Sequence, residues 1–503
     1  MIRPFLIVGI CALTASFLLL YGGIFEALLW LGFCAATIII MNLKKDKLQK
    51  GVFLAAVLLV VAIRLALAGA SAEAEKKALE GKTATVVGYL QKTVYEAKNY
   101  TVFAIKAENS SLPEAEGLLI SATLVGDTEL IPGDRIEAEI TFTKEEARQR
   151  RFLLGSGYHI SGRIEGYTHH KGEAFTVWRS VHHIRRAVVD AIDKNTSGEE
   201  AAVLKALIIG DPSDISDEFN VNVKNTGISH LIVVSGMHLG LLCGIVFALL
   251  KRRASRPVHV ILGAITVMFI ATVCLFQASI LRAGLTYLVM LCGKFFFKNY
   301  DSLSSLGTGI LLTVLLNPFI FYNAAFMLSV TATFSVIYPA TLLTRSISYD
   351  RLGKLSAKIA EYVVSVLIIA LCALVCTLPV VVWYFGYAPL ISPIVNLLTE
   401  LPVNAALVIG VAAVLIYFIP VVGPVIALPF FEASRMLVGY FIWVINLIGS
   451  TSAGVIIIDN AKHIHCFFIA LSVIIMIKIY YDKKFIRKER SLLAKRKNPE
   501  IVD

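Results

Sequence analysis

Four hydrogen-bonding side chains interrupt an apolar stretch in the middle of the chain, TGISHLIVVSGMHLGLL, residues 226–242. They are Ser229, His230, Ser235 and His238. The two histidines can change charge near neutral pH. Polar groups inside a bilayer are costly unless they have partners, so an ionisable side chain there is a functional hypothesis by default.

Three kinds of chemistry fit this spacing. Serine and histidine can hydrogen-bond across helix interfaces, or they can line a polar pathway through the membrane. The third is covalent catalysis, because Ser235 and His238 lie three residues apart on one helix face and a serine beside a histidine is the minimum for an activated nucleophile. Residues 233–236 read Val-Val-Ser-Gly and lack the first glycine of the Gly-x-Ser-Gly pattern of rhomboid-type proteases, which disfavours catalysis.

Other polar residues stand inside apolar runs downstream. Arg282 lies about three residues into a predicted span, where it either reaches back to the membrane interface or faces an interior cavity. Asn317, Ser329 and Asn396 allow two interpretations as well, since small polar residues serve helix packing as readily as they line a pore.

The sequence predicts no metal site and no cofactor. His230 and His238 are two helical turns apart, roughly 12 Å along the axis, so they cannot share one ion on a regular helix. The eight cysteines all lie in or next to apolar runs, and no CxxC pattern occurs. We interpret them as small buried side chains.

The composition is that of a membrane protein. Among 503 residues, 57% are hydrophobic and 17% charged, and the mean hydropathy is +0.74. The net charge of +11 is unevenly spread, because residues 71–200 carry 17 Lys and Arg against 20 Asp and Glu. The excess of positive charge therefore lies in short loops and the tail, which is a signal of topology.

The predicted architecture is a polytopic α-helical membrane protein of about twelve transmembrane helices with an inserted external domain. The basic loops at 42–50, 251–257 and 341–358 and the tail should be cytoplasmic, which leaves residues 71–200 outside. Pro402 and the Pro420/Pro424 pair leave broken or re-entrant helices open. The predicted units are three helices in 1–70, a β domain in 71–170, an amphipathic helical connector in 171–227, a helical membrane domain in 228–481 and a tail in 482–503.

The external domain reads as all-β. Strands are predicted at 83–90, 100–107, 117–124, 135–142 and 158–167, the fourth with clean alternation of apolar and polar residues. Five short strands in so few residues favour a small closed barrel of the OB-fold type, with a sandwich as the alternative. Residues 176–193 have the spacing of an amphipathic helix.

The motifs together resemble the competence segment of the ComEC family, the membrane channels of bacterial natural transformation. The resemblance rests on LIIGDPSDIS, TGISHLIVVSGMHLGLL, SILRA, DSLSSLGTGILLTVLLNP and AAFMLSVTATF, which occur in that order between about residues 205 and 340. The external domain fits the OB-fold that this family carries outside the cell. Longer members end in a metallo-β-lactamase-like nuclease domain, whereas only 22 residues follow residue 481 here, so the expectation is a short form without enzymatic activity.

The resemblance implies a channel for single-stranded DNA in the cytoplasmic membrane. It also implies a DNA-receptor protein outside and a helicase-like motor or DNA-binding protein inside; the oligomeric state stays open. The candidates for the DNA pathway are Asp211, Ser229, His230, Ser235, Gly236, His238, Arg282, Asn317, Ser329 and Asn396.

The external candidates for DNA contact are Arg148, Arg150, Arg151 and Phe152, a basic cluster with an adjacent aromatic ring. A solvated loop is an equal alternative, and the local balance of −3 in residues 71–200 argues against strong affinity by charge alone. Two other functions stay open: a transporter of an envelope solute or polymer that uses His230 and His238 as proton or substrate sites, and an intramembrane serine hydrolase.

Overall fold

A computed structural model of the protein describes residues 4–21, 24–41, 48–97, 99–126, 128, 130–170, 177–232, 236–250, 256–295, 301–347, 354–451 and 454–458. The predicted span at 464–481 and the basic tail at 482–503 lie outside the described residues.

Three helices open the chain: α1 (Pro4–Tyr21), α2 (Ile24–Met41) and α3 (Leu48–Leu79). The last is longer than the span predicted at 51–70, because residues 71–79 are rich in Ala, Glu and Lys, which are strong helix formers. Its end, Leu79, is buried in the core of the following β domain. One continuous helix therefore links the N-terminal helices to that domain.

The β domain is a closed five-stranded barrel with the strand order β1-β2-β3-β5-β4. Its elements are β1 (Thr83–Ala97), β2 (Tyr100–Ser110), β3 (Leu119–Val125), β4 (Arg135–Phe142), α4 (Ala147–Gly155) and β5 (Ile160–His170). All neighbouring pairs are antiparallel except β3 and β5, which are parallel. The prediction of five strands in this region is confirmed.

The barrel closes because β1 is long and bent. It pairs with β4 along its first half and with β2 along most of its length, with register shifts near Gly88, Lys92 and Tyr95. Such bulges bend a strand and increase its twist. Gly88 is required at the first of them, since a Cβ there would run into the Lys106 carbonyl. Large side chains such as Phe103 and Phe142 fill the interior, so the barrel is a packed core and not a pore.

Four helices follow the barrel: α5 (Val177–Asn195), α6 (Gly198–Ile209), α7 (Asp217–Thr226) and α8 (Ser229–Ile232). Helix α5 covers most of the stretch predicted as an amphipathic helix at 176–193 and buries Val181, Val188 and Ile192. Helix α6 is buried along most of its length, so the connector is part of the helical core and not a surface appendage.

The rest of the described chain is almost entirely helical. Its elements are α9 (Gly236–Leu250), α10 (Arg256–Val273), α11 (Ala278–Phe295), α12 (Ser302–Leu316), α13 (Ala324–Ser335), α14 (Thr341–Thr344), α15 (Lys354–Phe385), β6 (Tyr387–Pro389), α16 (Ser392–Tyr417), α17 (Gly423–Gly449) and β7 (Val455–Ile457). A 3-10 turn, Ile320–Tyr322, precedes α13, a π-helical segment, Val336–Ala340, follows it, and β6 pairs with β7.

The N-terminal helices pack into this helical block. A Cβ on Gly9 would meet the backbone of Gly307, and one on Gly307 would meet that of Leu6, so α1 and α12 are in backbone contact. Small residues permit such close approach between membrane helices. The Ser16 hydroxyl donates to the Pro318 carbonyl, which fixes the end of α12 against α1.

Six described helical segments are long and apolar enough to cross a bilayer. They are Gly51–Leu79, Ser229–Val246, Ala324–Thr344, Lys358–Phe385, Ser392–Tyr417 and Gly423–Gly449. Five shorter apolar segments accompany them, in α1, α2, α10, α11 and α12. These helices are those of a membrane protein, whereas the count of twelve spans stays a prediction.

Candidate functional site

Arg282 is the centre of a polar cluster inside the helical block. It lies one turn into α11 and is only 3% exposed. Its Nε and Nη2 donate to the Ser329 hydroxyl of α13, at 3.0 and 2.7 Å. Of the two interpretations of Arg282, reaching back to the interface or facing the interior, the structure supports the interior.

Gly236 completes the cluster from a third helix. A Cβ at this position, at the start of α9, would lie 2.9 Å from the Ala283 Cβ and 3.3 Å from the Arg282 Nη2. Only glycine lets α9 approach α11 this closely without displacing the arginine. Gly236, Arg282 and Ser329 are far apart in sequence, and the fold brings these three pathway candidates together.

Hydroxyl groups continue the polar character of the cluster. Thr286, one turn after Arg282, donates to the Arg282 carbonyl at 2.9 Å, and Thr333 donates to the Ser329 carbonyl at 2.7 Å. Gly309 of α12 lies against the Thr286 hydroxyl, where a Cβ would collide with it. Helix α12 thus packs against the same face of α11.

The polar run 226–242 divides into two parts. Thr226 and Gly227 have a structural role: the buried Thr226 hydroxyl bonds to the Asn222 and Val223 carbonyls, and Gly227 ends α7 with a φ of +73°. A Cβ on Gly227 would also collide with Pro389 of β6. The Ser229 and Tyr387 side chains also lie close together, so this segment meets β6 at a second point.

The two histidines face different surroundings. His238 is buried at 1% exposure within α9, whereas the His230 side chain in α8 is accessible to solvent. They are close enough to interact electrostatically. Ser235 lies outside the described residues, so its predicted pairing with His238 stays a prediction.

Asp211 lies away from the Arg282 cluster and joins three helices. Its carboxylate accepts from Arg185 of α5 at 3.1 Å, and the same guanidinium donates to the Ile209 and Val273 carbonyls at the ends of α6 and α10. Gln277 donates to the neighbouring Gly210 carbonyl. These contacts hold the amphipathic α5 against the helical block.

Asn317 connects the barrel to the helical block. Its amide nitrogen donates to the Leu154 and Gly155 carbonyls at the end of α4, both at 3.1 Å. Gly155 permits this docking, because a Cβ there would lie 2.8 Å from the Tyr322 carbonyl carbon. Asn396 is buried in α16, separate from this junction, and its amide oxygen has no hydrogen-bond partner among the described residues.

The external basic cluster divides between surface and interior. Arg148 is exposed and Phe152 is 63% exposed. Arg150 is buried, pairs with Glu145 at 3.1 Å and donates to the Ala72 carbonyl, so it joins the barrel to α3. Arg151 lies over the Tyr322 ring, 6.0 Å from its centroid.

Several residues of these junctions are not predictable from sequence. Arg185, Glu145 and Tyr322 stand in no motif, and their roles arise from contacts between distant segments. Among the described residues, no group of three or more His, Cys, Asp or Glu side chains could hold a metal ion.

Comparison with known proteins defines the class. Residues 207–483, more than half of the chain, match the family described as Competence protein. The chain therefore belongs to this family, the ComEC family of membrane proteins, and the resemblance in the polar motifs is confirmed.

One similar protein is ComE operon protein 3 of Bacillus subtilis (strain 168). It is 24% identical over 216 residues, which cover 43% of this chain and 26% of that protein. The chain thus spans only about a quarter of that relative. No solved structure matches.

Proposed function

We propose that this protein carries DNA across the cytoplasmic membrane during natural transformation, as a channel that passes a single strand. The observation that carries the proposal is the cluster of Gly236, Arg282 and Ser329. All three belong to the segment matched by the Competence family, and they converge inside apolar helices. Intramembrane charges of this kind mark substrate pathways in membrane proteins.

The barrel supports the proposal through its topology. An OB-fold is a five-stranded barrel that binds oligonucleotides with the face of strands 2 and 3 and the loop between strands 4 and 5. Here that loop contains α4, and Leu153 of α4 packs with Ala104 and Tyr158 on the outside of β2. The helix therefore occupies part of the face that other OB-folds offer to a ligand, and the exposed side of α4 takes its place.

Arg148 and Phe152 form that exposed side. They are four residues apart in α4 and so share one helix face. A cation beside an exposed ring suits a single strand, since phosphates attract the charge and bases of any sequence stack on the ring. The net negative charge of residues 71–200 keeps the binding of a strand to Arg148 and Phe152 weak. Weak binding is compatible with a strand that must advance into the helical block.

The docking of α4 gives a route inward. Helix α4 contacts Asn317 and Tyr322, which stand directly before α13, and α13 carries Ser329. A strand held at α4 would therefore lie at the outer end of the helix that contributes to the Arg282 cluster. A motor or DNA-binding protein on the cytoplasmic side supplies the driving force in this proposal, and a receptor outside delivers the DNA.

The experiment is passage of a labelled strand into liposomes that contain the purified protein and hold a single-strand-binding protein inside as a trap. Wild type should accumulate the strand. Arg148→Glu and Phe152→Ala should each slow accumulation several-fold. Lys144→Glu is the matched control, because Lys144 is exposed in the same loop but precedes α4.

The proposed function is contradicted if trap-loaded liposomes with wild-type protein accumulate no more strand than trap-loaded liposomes without protein. If a labelled envelope polymer passes instead, the transporter interpretation replaces it. If Lys144→Glu slows passage as much as Arg148→Glu, the barrel acts by overall charge and α4 has no special role.

The orientation is tested separately by labelling intact cells with a membrane-impermeant maleimide. A cysteine at Ser110, in the barrel, should be labelled from outside. A cysteine at Ser346, which is exposed in a loop predicted to be cytoplasmic, should be labelled only after the cells are broken. The reverse pattern would contradict the orientation inferred from charge, and the parent protein gives the background.

A further inference from the structure

Arg282 differs from the other buried cations of the described chain. Arg150, Lys205 and Arg282 are the three buried Lys and Arg side chains of the described residues, at 8, 6 and 3% exposure. Arg150 pairs with Glu145, and Lys205 pairs with Asp193 and Asp214. Among the described residues, Arg282 is bound only by the Ser329 hydroxyl, and no carboxylate pairs with it.

The Ser329 hydroxyl accepts hydrogen bonds from Arg282, but because it is uncharged it does not neutralise the charge of the guanidinium. Taking an unpaired ion out of water is strongly unfavourable, and more so where the surroundings are apolar helices. The fold could relieve this cost with a carboxylate, as it does at Arg150 and Lys205. The arrangement indicates that an anion which is not part of the described chain completes the site.

The N–H donors of the guanidinium that Ser329 does not use indicate which kind of anion would bind. A guanidinium has five N–H donors in a planar fork. The two bonds to Ser329 use one donor on Nε and one on Nη2, which leaves three. Gly236 places no side chain on the Nη2 side. A planar fork of donors matches the oxygens of a phosphate group, which it binds through two parallel hydrogen bonds.

We propose that Arg282 binds one phosphate group of the transported strand as the strand passes through the helical block. The inference rests on the proposed function and adds the chemistry of one contact. Ser329 holds the guanidinium in place between successive phosphates. A single charge-assisted contact recognises the backbone of any sequence, and it is weak enough for the strand to advance.

The test uses the same trap-loaded liposomes and two strands of equal length, an ordinary oligothymidylate and its uncharged methylphosphonate analogue. Wild-type protein should pass the ordinary strand at least about tenfold faster, since one hydrogen-bonded charge pair corresponds to roughly that factor. This comparison requires no variant, so it does not depend on how a variant folds.

The variants are Arg282→Gln and Arg282→Lys, with Arg64→Gln as the matched control. Arg64 is also an arginine of a membrane helix, but it is exposed and donates to the Leu315 carbonyl. We expect Arg282→Gln to slow the ordinary strand about tenfold at normal membrane abundance. Lysine keeps the charge but loses the fork, so Arg282→Lys should be intermediate, and Arg64→Gln should resemble wild type.

A second measurement tests the site without transport. Inorganic phosphate should raise the thermal midpoint of the purified wild-type and Arg64→Gln proteins but not that of Arg282→Gln, because a ligand that binds only the folded state stabilises it. Equal passage of both strands, or equal phosphate stabilisation of Arg282→Gln and Arg64→Gln, would overturn the inference. A wild type that responds to phosphate but passes neither strand contradicts the proposed function and leaves the anion site standing.

Discussion

The barrel domain and the Arg282 site of the helical block hold a buried cation in opposite ways. In the barrel and at its junction with α3, Arg150 pairs with Glu145 and Arg135 with Glu108. In the helical block, Lys205 is paired with Asp193 and Asp214, whereas Arg282, at 3% exposure, has only the Ser329 hydroxyl as its partner among the described residues. The barrel thus uses charge pairs to support its structure, whereas the block keeps one charge available.

The largest effect is expected from Glu145→Gln. Glu145 accepts from Arg150, from the Ser161 amide at 2.6 Å and from the Ser161 hydroxyl at 2.8 Å, and it is buried. Removing its charge leaves Arg150 buried and unpaired, so the free energy of unfolding should fall by about 3–5 kcal/mol. The measurement is thermal unfolding of the purified full-length protein.

Glu108→Gln is the control for this change. It breaks the exposed pair with Arg135, which should contribute only about 0–1 kcal/mol. If both substitutions lower stability equally, burial does not distinguish the two pairs and the contrast with Arg282 loses its basis.

Gly236→Ala should have the next largest effect. The new Cβ would lie 2.9 Å from the Ala283 Cβ, closer than packed carbon atoms allow, so α9 must shift away from α11. Overpacking of this kind costs about 1–3 kcal/mol. Strand passage should fall as well, because the Cβ also approaches the Arg282 guanidinium.

Gly240→Ala, one turn later in α9, is its matched control. A Cβ there meets no atom within 4 Å, and alanine favours a helix over glycine by about 0.5–1 kcal/mol. The variant should be as stable as wild type or more so, with unchanged passage. Equal loss in both variants would mean that α9 tolerates no substitution and that Gly236 has no specific relation to Arg282.

Asn317→Ala tests the junction between the two regions. It removes the two hydrogen bonds to the Leu154 and Gly155 carbonyls and should weaken the docking of α4 by about 1–3 kcal/mol. Faster amide exchange in α4, with unchanged exchange in β4, is the expected result. Unchanged exchange in α4 would show that Tyr322 and Gly155 hold the junction alone.

The smallest effect concerns pH. Burial, followed by the nearby charges of His183, Arg186 and Arg185, lowers the pKa of His182 in α5, while Asp134 opposes the change. The unfolded chain therefore binds a proton more readily than the folded chain, so stability is present above the ordinary histidine pKa of about 6.5 and is lost as the pH falls through that value.

His182→Gln should flatten this acid dependence of the thermal midpoint between about pH 7.5 and pH 5. His183→Gln should weaken the acid dependence less, because the exposed His183 is only one of the charges that lower the His182 pKa. If the two variants keep the same acid dependence, another group between the barrel and α5 causes it.

The strands show how far local pattern reaches. The strand predicted at 135–142 coincides with β4, because its alternating residues point in turn into the barrel and into solvent. Helix α12 ends at Leu316, where Asn317-Pro318 interrupts it and a short 3-10 turn follows. Local sequence patterns predict a helix or strand well when each of its residues can occupy only one environment, either the core or the solvent.

The membrane class, the five strands and the Competence-family motifs could be predicted from the residues alone, because these features depend on hydrophobic period, composition and residue order. The tertiary structure decided what the polar residues do. Arg150 and Arg148 are two residues apart in one helix, yet Arg150 is paired inside and Arg148 is exposed. Arg282 and Ser329 are 47 residues apart and form one contact. Contacts between distant helices depend on how whole faces pack, and no local pattern records which polar residue will meet another.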